Sequence, residues 1–304
     1  MTLNPQAAAF IELAASAPPL SDDPIERLRL GSAAMSARLA DPEQVASIAD
    51  IRIPASSGGL PARIYTPETT GSLAIVLYHG GGWVLGDLDM VDTLATRLAN
   101  AAAAVVVSVD YRLAPEHRFP AAVDDAEEAY AWIAAHRAEL GIGGAGLVVA
   151  GDSAGGNLAA VVAASTRDPW ARPVGQVLFY PVTDHDFDRA SYRENAEGYY
   201  LSAAGMRFFW DAYVPDPSAR EDPRVSPLRA SSFAHLPPSL VVTAEYDPLR
   251  DEGVAYAERL AADGVPVEAY TYPGQIHSFV TRIGFIDDAA DAVRRAAAFV
   301  RGLA

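Results

Sequence analysis

Five residues near the middle of the chain, Gly151-Asp152-Ser153-Ala154-Gly155, fit the pattern G-x-S-x-G. They follow the apolar run Leu147–Ala150, which is typical of a buried strand, and precede Asn157–Ala164, which is typical of a helix. A strand, a tight glycine turn and a helix form the setting in which this pattern exposes a nucleophilic serine hydroxyl. Many copies of the pattern are ordinary glycine-rich turns, so it is the context that favours Ser153 as a nucleophile.

A second glycine-rich segment, His79-Gly80-Gly81-Gly82-Trp83, follows the strand-like run Ala74–Tyr78. A serine nucleophile generates an oxyanion, which needs preorganised N–H donors. Consecutive glycines let backbone N–H groups approach a ligand closely, and the N–H of Ala154, directly after the serine, supplies another donor. A flexible surface loop is the alternative, but HGGG at a strand end upstream of G-x-S-x-G is typical of an oxyanion hole.

The serine also needs a general base, and in this order of motifs the base is a histidine later in the chain. Three histidines follow the serine: His185, His235 and His277. His277 lies in a turn-rich stretch, residues 272–279, after a strand-like run, which suits a base at the end of a strand. His235 precedes Leu-Pro-Pro and is more typical of a surface loop.

The base in turn needs an orienting carboxylate. The strand-like run Ser239–Ala244 leads into Glu245-Tyr246-Asp247-Pro248. Asp247 is the candidate because it stands just past the strand, and Pro248 can start the next helix at its first position. Aspartate before proline commonly caps a helix, and the two roles are compatible. Glu245 is the alternative acid.

With these residues the chain resembles the hormone-sensitive-lipase-like esterases (bacterial family IV, GDSAG branch) of the α/β-hydrolase superfamily. The matching segments are in the family's order: HGGGW (79–83), DYRLAPEHRFPAAVDD (110–125), GDSAGGNLA (151–159), YPVTD (180–184), DPLRDEG (247–253) and YPGQIHSF (272–279). Relatives often carry Met and Gly where this chain has Gln275 and Ser278, a departure that concerns only the fine geometry of the loop.

The resemblance implies a catalytic triad of Ser153, Asp247 and His277. It also implies that the backbone N–H groups of the oxyanion hole belong to Gly81, Gly82 and Ala154.

Composition and pattern predict an α/β fold. Half of the 304 residues are hydrophobic, and apolar strands alternate with helices, which favours a mostly parallel sheet flanked by helices. Strands are expected at 51–54, 60–65, 74–78, 105–109, 147–150, 176–180, 239–244 and 267–271, with crossover helices at 89–103 and 121–139. The resemblance implies the α/β-hydrolase fold with a helical cap.

We expect N-terminal helices in residues 1–45, joined by a proline-rich turn at Ala17-Pro18-Pro19, a core at 46–183 and 224–304, and a cap insertion at 184–223. The resemblance implies that the N-terminal helices and the insertion together form the cap. The insertion is rich in Asp, Tyr and Phe and predicts a helix over Ser202–Tyr213. The alternative is a peripheral helix that packs its aromatic side chains into the core.

Four aromatic residues are candidates for the substrate pocket: Trp83, Tyr199, Phe208 and Trp210.

Two further patterns are weaker. Residues 141–146 fit G-x-G-x-x-G, but they follow a helix and precede a strand, the reverse of the order that dinucleotide binding requires. Asp184-His185-Asp186-Phe187-Asp188 offers hard metal ligands, yet neighbours on one short segment rarely converge on one ion, and solvated acids at a cap boundary are the better interpretation. We therefore expect no metal and no cofactor. Residues 111–120 are expected to brace the HGGG loop.

The chain has no cysteine, which excludes disulfides and cysteine catalysis and fits a cytoplasmic protein. Its net charge of −16 disfavours nucleic acid and anionic membranes, and no apolar run approaches membrane length. A small ester is the expected partner, and a homodimer is left open.

The expected function is a serine carboxylesterase that hydrolyses esters with short-to-medium acyl chains, the chain length being implied by the resemblance. The fold and triad also permit a lactonase, amidase, deacetylase or lipase. A non-catalytic ligand receptor would show a broken triad, whereas all three members are present here.

Overall fold

A mixed eight-stranded sheet forms the centre of the molecule. The computed structural model describes residues 2–16 and 21–304, and its strands lie in the order β1-β2-β4-β3-β5-β6-β7-β8. Their bounds are β1 Ser47–Ile53, β2 Leu60–Thr66, β3 Leu73–Tyr78, β4 Val105–Val109, β5 Gly146–Asp152, β6 Gly175–Phe179, β7 Ser239–Tyr246 and β8 Val267–Ile276. β2 runs antiparallel to both of its neighbours, and the other pairs are parallel. Parallel strands bring their carboxyl ends, where ligands bind in such sheets, to one edge.

Helices cover both faces of the sheet. Their bounds are α1 Pro5–Ala15, α2 Pro24–Leu39, α3 Asp92–Ala102, α4 Ala121–Ala135, α5 Ala154–Ser165, α6 Ala190–Glu194, α7 Ala203–Tyr213, α8 Arg250–Ala262 and α9 Asp287–Gly302. Along β3, Ile75 and Leu77 pack in the core layer of α3 and α9, whereas Val76 packs in the layer of α4, α5 and α8. Because the central strands are buried on both faces, they are continuous apolar runs.

The two N-terminal helices begin with side-chain caps. Asn4 accepts a hydrogen bond from the N–H of Gln6, and Asp23 accepts from two N–H groups of α2, each cap standing directly before a proline. The buried side chain of Phe10 packs with Met35 and with the end of β8. The proline-rich turn predicted at Ala17-Pro18-Pro19 lies outside the described residues.

The segment between β6 and β7 contains the predicted helix. α7 covers Ala203–Tyr213, and the side chain of Ser202 caps it by accepting a hydrogen bond from the N–H of Gly205 at 3.0 Å. Its buried face carries Met206, Trp210 and Tyr213.

The predicted α/β-hydrolase fold and all eight predicted strands are confirmed, with two local corrections. β8 does not end at residue 271 but continues to Ile276, past an irregularity in its pairing with β7, so the loop expected at 272–279 begins later. α8 begins at Arg250, two residues after Pro248, because Pro248 stands in the turn before the helix. No helix of the described residues is long and apolar enough to cross a membrane.

Candidate active site

Ser153 occupies a strained turn between β5 and α5. Its backbone angles are φ 56° and ψ −119°, a conformation that residues with a Cβ adopt at a cost of about 1–3 kcal/mol. The Ser153 N–H donates to the carbonyl of Phe179 at 2.9 Å, which fixes the turn against β6. A Cβ at Gly151 would overlap the backbone of Gly155, and a Cβ at Gly155 would overlap the carbonyl oxygen of Tyr78. Both glycines of the motif are therefore required for packing.

His277 connects Ser153 to Asp247. The imidazole Nε2 lies 2.9 Å from the Ser153 Oγ, and Nδ1 lies 2.7 Å from Oδ2 of Asp247. With a neutral imidazole, the Ser153 hydroxyl donates to Nε2, and Nδ1–H donates to the carboxylate. All three side chains are nearly or fully buried. The predicted histidine thus lies within hydrogen-bonding distance of both the predicted serine and the predicted aspartate.

Asp247 is held by the backbone of the turn that follows it and by the insertion between β6 and β7. Its Oδ1 accepts a hydrogen bond from the N–H of Leu249 at 2.9 Å, which leaves Oδ2 for the histidine. Asn195 donates its side-chain amide to the Asp247 carbonyl at 3.1 Å. The carboxylate therefore stabilises the turn before α8 and orients the imidazole at the same time.

The residues weighed as alternatives to His277 and Asp247 have other partners. His185 pairs with Glu221 at 3.1 Å, and His235 lies 3.2 Å from the carbonyl of Ala164. Glu245 accepts a hydrogen bond from the Gly274 N–H at 2.7 Å, so this alternative acid supports the segment that leads to the histidine.

The glycines after β3 form a loop that faces Ser153 across a cavity. Gly81 and Gly82 have φ angles of 116° and 60°, and both line the same cavity as the serine. A Cβ at Gly81 would overlap the Leu85 carbonyl, and one at Gly82 would overlap the Phe209 ring. Ala154 is the first residue of α5, and the N–H groups of a helix's first turn have no partner within the helix. These positions are compatible with the predicted donor role of the Gly81, Gly82 and Ala154 N–H groups.

Buried polar contacts hold this loop in place. The Gly80 N–H donates to Oδ1 of Asp152 at 2.8 Å, and the Tyr111 hydroxyl donates to the His79 carbonyl at 2.7 Å. The His79 ring stacks on Tyr111 with centroids 4.3 Å apart. Burial lowers the pKa of His79 to about 4 and raises the pKa of Asp152 to about 6. His79 is therefore neutral at pH 7 and acts as a packing residue.

Helix α2 is fixed to the glycine loop by Arg29. Its Nε donates to the Val84 carbonyl at 2.9 Å, Nη2 donates to the Ala114 carbonyl at 3.1 Å, and both Nη atoms bind the carboxylate of Glu116. The hydrogen bonds from Arg29 lower the pKa of Glu116 to about 2. Neither Arg29 nor Asp152 was a sequence candidate, because their partners lie far away along the chain.

The cavity has a volume of about 540 Å³ and is mostly apolar. Among the predicted pocket residues, Phe208 lines it. Other side chains that line it were not predicted, and most come from α2, the start of α7 with the residues before it, and the segment after His277: Pro24, Arg27, Leu28, Ser32, Leu85, Met90, Asp152, Tyr200, Leu201, Ser202, Met206, Ser278, Thr281 and Arg282.

Three predicted pocket residues are placed elsewhere and need correction. Trp83 stacks on Tyr213 with centroids 4.4 Å apart and contacts Trp210 edge-on at 5.2 Å, so both tryptophans are fully buried in the core beside the cavity. Tyr199 packs on Tyr246 with centroids 4.8 Å apart. An aromatic residue near a motif can belong to the core as well as to a pocket, and sequence alone does not separate the two.

The acidic segment after β6 is neutralised by arginine. Asp184 accepts hydrogen bonds at 2.7 Å from both Arg189 and Arg229. No cluster of three or more His, Asp or Glu side chains suited to a metal ion occurs in the part of the chain that the structure describes. The G-x-G-x-x-G segment lies between α4 and β5, as its sequence context predicts.

Comparisons with known proteins identify the fold and related esterases. A family profile described as alpha/beta hydrolase fold matches residues 75–281. Esterase LipI of Mycobacterium tuberculosis is 41% identical over 280 residues, which is 90% of this chain and 87% of that protein. Ethyl acetate hydrolase of Pseudomonas putida is 38% identical over 96% of both chains. The solved structure of a hyperthermophilic esterase from the archaeon Pyrobaculum calidifontis has a TM-score of 0.91 and 40% identity, covering 100% of this chain and 99% of that chain.

Proposed function

Because the chain belongs to the hormone-sensitive-lipase-like esterases of the α/β-hydrolase fold, we propose that it is a carboxylesterase with Ser153 as its nucleophile. The observation that carries this proposal is the continuous contact of Ser153 with His277 and of His277 with Asp247, at 2.9 Å and 2.7 Å. This contact lies on the wall of a cavity large enough for a small ester. The proposed triad needs no metal or cofactor.

In the first half of the reaction, the Ser153 Oγ attacks the ester carbonyl carbon while His277 Nε2 takes the hydroxyl proton. The carbonyl oxygen becomes an oxyanion and accepts hydrogen bonds from the backbone N–H groups of Gly81, Gly82 and Ala154. The intermediate then breaks its bond to the alcohol oxygen. His277 gives its proton to that oxygen, so the alcohol leaves and an acyl group stays on Ser153.

In the second half, water replaces the alcohol. His277 takes a proton from the water as the water oxygen attacks the acyl carbon, and a second oxyanion forms in the same position. When this intermediate breaks down, Ser153 recovers its proton from His277 and the carboxylic acid departs. The Asp247 carboxylate stabilises the imidazolium that forms in each half.

The proposed cap consists of residues 1–45 and 184–223, over a core of 46–183 and 224–304. Leu28 of α2 and Phe208 of α7 line the cavity together with Ser153, which supports this division. A mostly apolar cavity of about 540 Å³ favours short-to-medium acyl chains. The cysteine-free composition supports a cytoplasmic location.

A series of p-nitrophenyl esters from acetate to palmitate tests the proposed function. We expect kcat/KM to peak between acetate and octanoate and to fall for longer chains, which exceed the cavity. Ser153→Ala should lower kcat by at least about 10⁴-fold because it removes the nucleophile.

The control for this series is Ser165→Ala, at the end of α5, which should keep full activity. A folded Ser153→Ala protein with wild-type turnover would refute the proposal, as would a wild type inactive on the whole series.

A further inference from the structure

Arg282 is a buried cation beside the reactive serine. It follows the short 3₁₀ turn Phe279–Thr281, a few residues after His277, and it lines the same cavity as Ser153. Only 7% of the residue is exposed. A charge this deeply buried is expected to have an anionic partner.

Among the described residues Arg282 forms no close ion pair, and the carboxylate that its charge reaches is Asp152, on the same cavity wall. The guanidinium donates one hydrogen bond, from Nη2 to the Tyr200 hydroxyl at 3.3 Å, and its central carbon lies 4.8 Å from the centre of the Phe10 ring. Its Nε is buried without an acceptor among the described residues. A neutral hydroxyl and a ring face do not neutralise this guanidinium, and its Nε–H stays unpaired.

The other buried arginine shows how the fold satisfies such a group. Arg220 is 6% exposed, and it donates to the carboxylate of Asp211 at 2.6 Å and to the Val214 carbonyl at 2.8 Å. Arg220 supports a loop away from the cavity, whereas Arg282 faces the space that the substrate must enter.

The charge balance of the cavity wall differs from that of the molecule. Among the described residues that line the cavity, the cations are Arg27 and Arg282, and the carboxyl group is that of Asp152. Two positive charges minus one negative charge give +1, in a chain whose net charge is −16. Arg27 donates only to backbone carbonyls of Ser21 and Asp22, and Asp152 is held by the Gly80 N–H. Arg282 is therefore the buried cation on the described cavity wall, in a protein that is acidic overall.

We propose that Arg282 binds a free carboxylate of the substrate, so that the preferred substrates are esters that carry a second, ionised carboxyl group. Half-esters of dicarboxylic acids are the simplest members of this class. A carboxylate can take two parallel hydrogen bonds from a guanidinium, and the low-dielectric wall strengthens them. This inference rests on the proposed ester hydrolysis at Ser153.

The wild-type protein tests the inference with matched pairs of substrates. Monoethyl and diethyl esters of succinate, glutarate and adipate differ by one charge at equal chain length. We expect kcat/KM for the best half-ester to exceed that for its diester by at least about 10-fold, mainly through a lower KM. Acetoxy acids, with the carboxylate on the alcohol side, show which half of the ester faces Arg282.

Substitutions then locate the effect. Arg282→Met keeps an apolar chain against Phe10 and should lower the half-ester to diester ratio by about 10- to 100-fold, because a hydrogen-bonded charge is lost. Arg282→Lys keeps the charge without the planar fork and should give an intermediate ratio. The control is Arg207→Met, an exposed arginine of α7 that lies 4.2 Å over the Phe187 ring and outside the cavity, and it should leave the ratio unchanged.

A wild type that hydrolyses p-nitrophenyl butyrate but does not prefer half-esters would overturn the Arg282 inference alone. Equal loss of half-ester and diester hydrolysis in Arg282→Lys would do the same, since it would show a purely structural role. A wild type inactive on p-nitrophenyl butyrate would instead overturn the proposed function.

Discussion

Two buried ionisable side chains, Asp152 and His79, contribute to the proposed oxyanion loop, and burial disfavours the charged form of each. Burial raises the pKa of Asp152 from 3.8 to about 6, so the native state keeps a proton that the unfolded chain releases earlier. The contribution of Asp152 to stability therefore falls as the pH rises from about 4 to 6. Burial lowers the pKa of His79 from 6.5 to about 4, so the contribution of His79 is lost as the pH falls through that range. The two effects oppose each other.

The variant Asp152→Asn separates the pH effect of Asp152 from that of His79. The amide keeps an acceptor for the Gly80 N–H but cannot ionise. We expect the unfolding free energy of the variant, minus that of the wild type, to rise by roughly 2–3 kcal/mol between pH 4 and pH 7. Urea denaturation across this range measures the difference. Asp22→Asn, at an exposed position, is the control and should give a flat difference. A flat difference for Asp152→Asn would mean that its carboxylate ionises without cost.

At the scale of single residues, the sequence predicted the candidate catalytic residues that lie in motifs. Ser153, Asp247 and His277 follow strand-like runs in a fixed order, and local pattern is enough to pick them out. Arg29 and Arg282 carry no local signal, because their roles depend on which distant segments the fold brings to them. The same limit explains Trp83 and Trp210, whose large apolar side chains suit a core as well as a pocket.

At the scale of elements, α2 of the proposed cap is hydrogen-bonded to the segment that follows the glycines of the proposed oxyanion hole. Arg29→Met removes its hydrogen bonds to Val84, Ala114 and Glu116. We expect a loss of about 1–3 kcal/mol in unfolding free energy, because buried carbonyls lose a charged donor. Equilibrium urea denaturation measures it.

The matched control is Arg38→Met, on the exposed surface of the same helix, which should change stability by less than about 0.5 kcal/mol. Equal stability losses in the two variants would contradict a specific role for Arg29, and so would no loss in either.

Strands were easier to predict than their ends. The central strands are apolar on both faces, so a continuous run of Val, Ile and Leu marks them. β8 is an edge strand with exposed polar positions, and its continuation to Ile276 depends on pairing with Tyr246 across an irregularity. α9 was not predicted, although Ala289, Ala292, Val293 and Ala296 are buried at helical spacing.

At the scale of the whole molecule, the negative net charge follows from composition, whereas the arginine-lined cavity follows from the fold. The net charge of −16 is a property of the whole chain. The residues that line the cavity come from the loops after β3, β5 and β8 and from α2 and α7. Composition revealed the surface charge directly. The local charge of the cavity became visible only when the fold assembled distant segments around Ser153.

The most direct test of the central claim is titration with diethyl p-nitrophenyl phosphate, which transfers a diethylphosphoryl group to an activated serine. Mass spectrometry should find a single adduct, on Ser153, whose amount rises in proportion to the loss of ester hydrolysis. His277→Gln should abolish labelling, since it removes the base. Full inactivation with Ser153 unmodified, or labelling that survives in Ser153→Ala, would contradict the account.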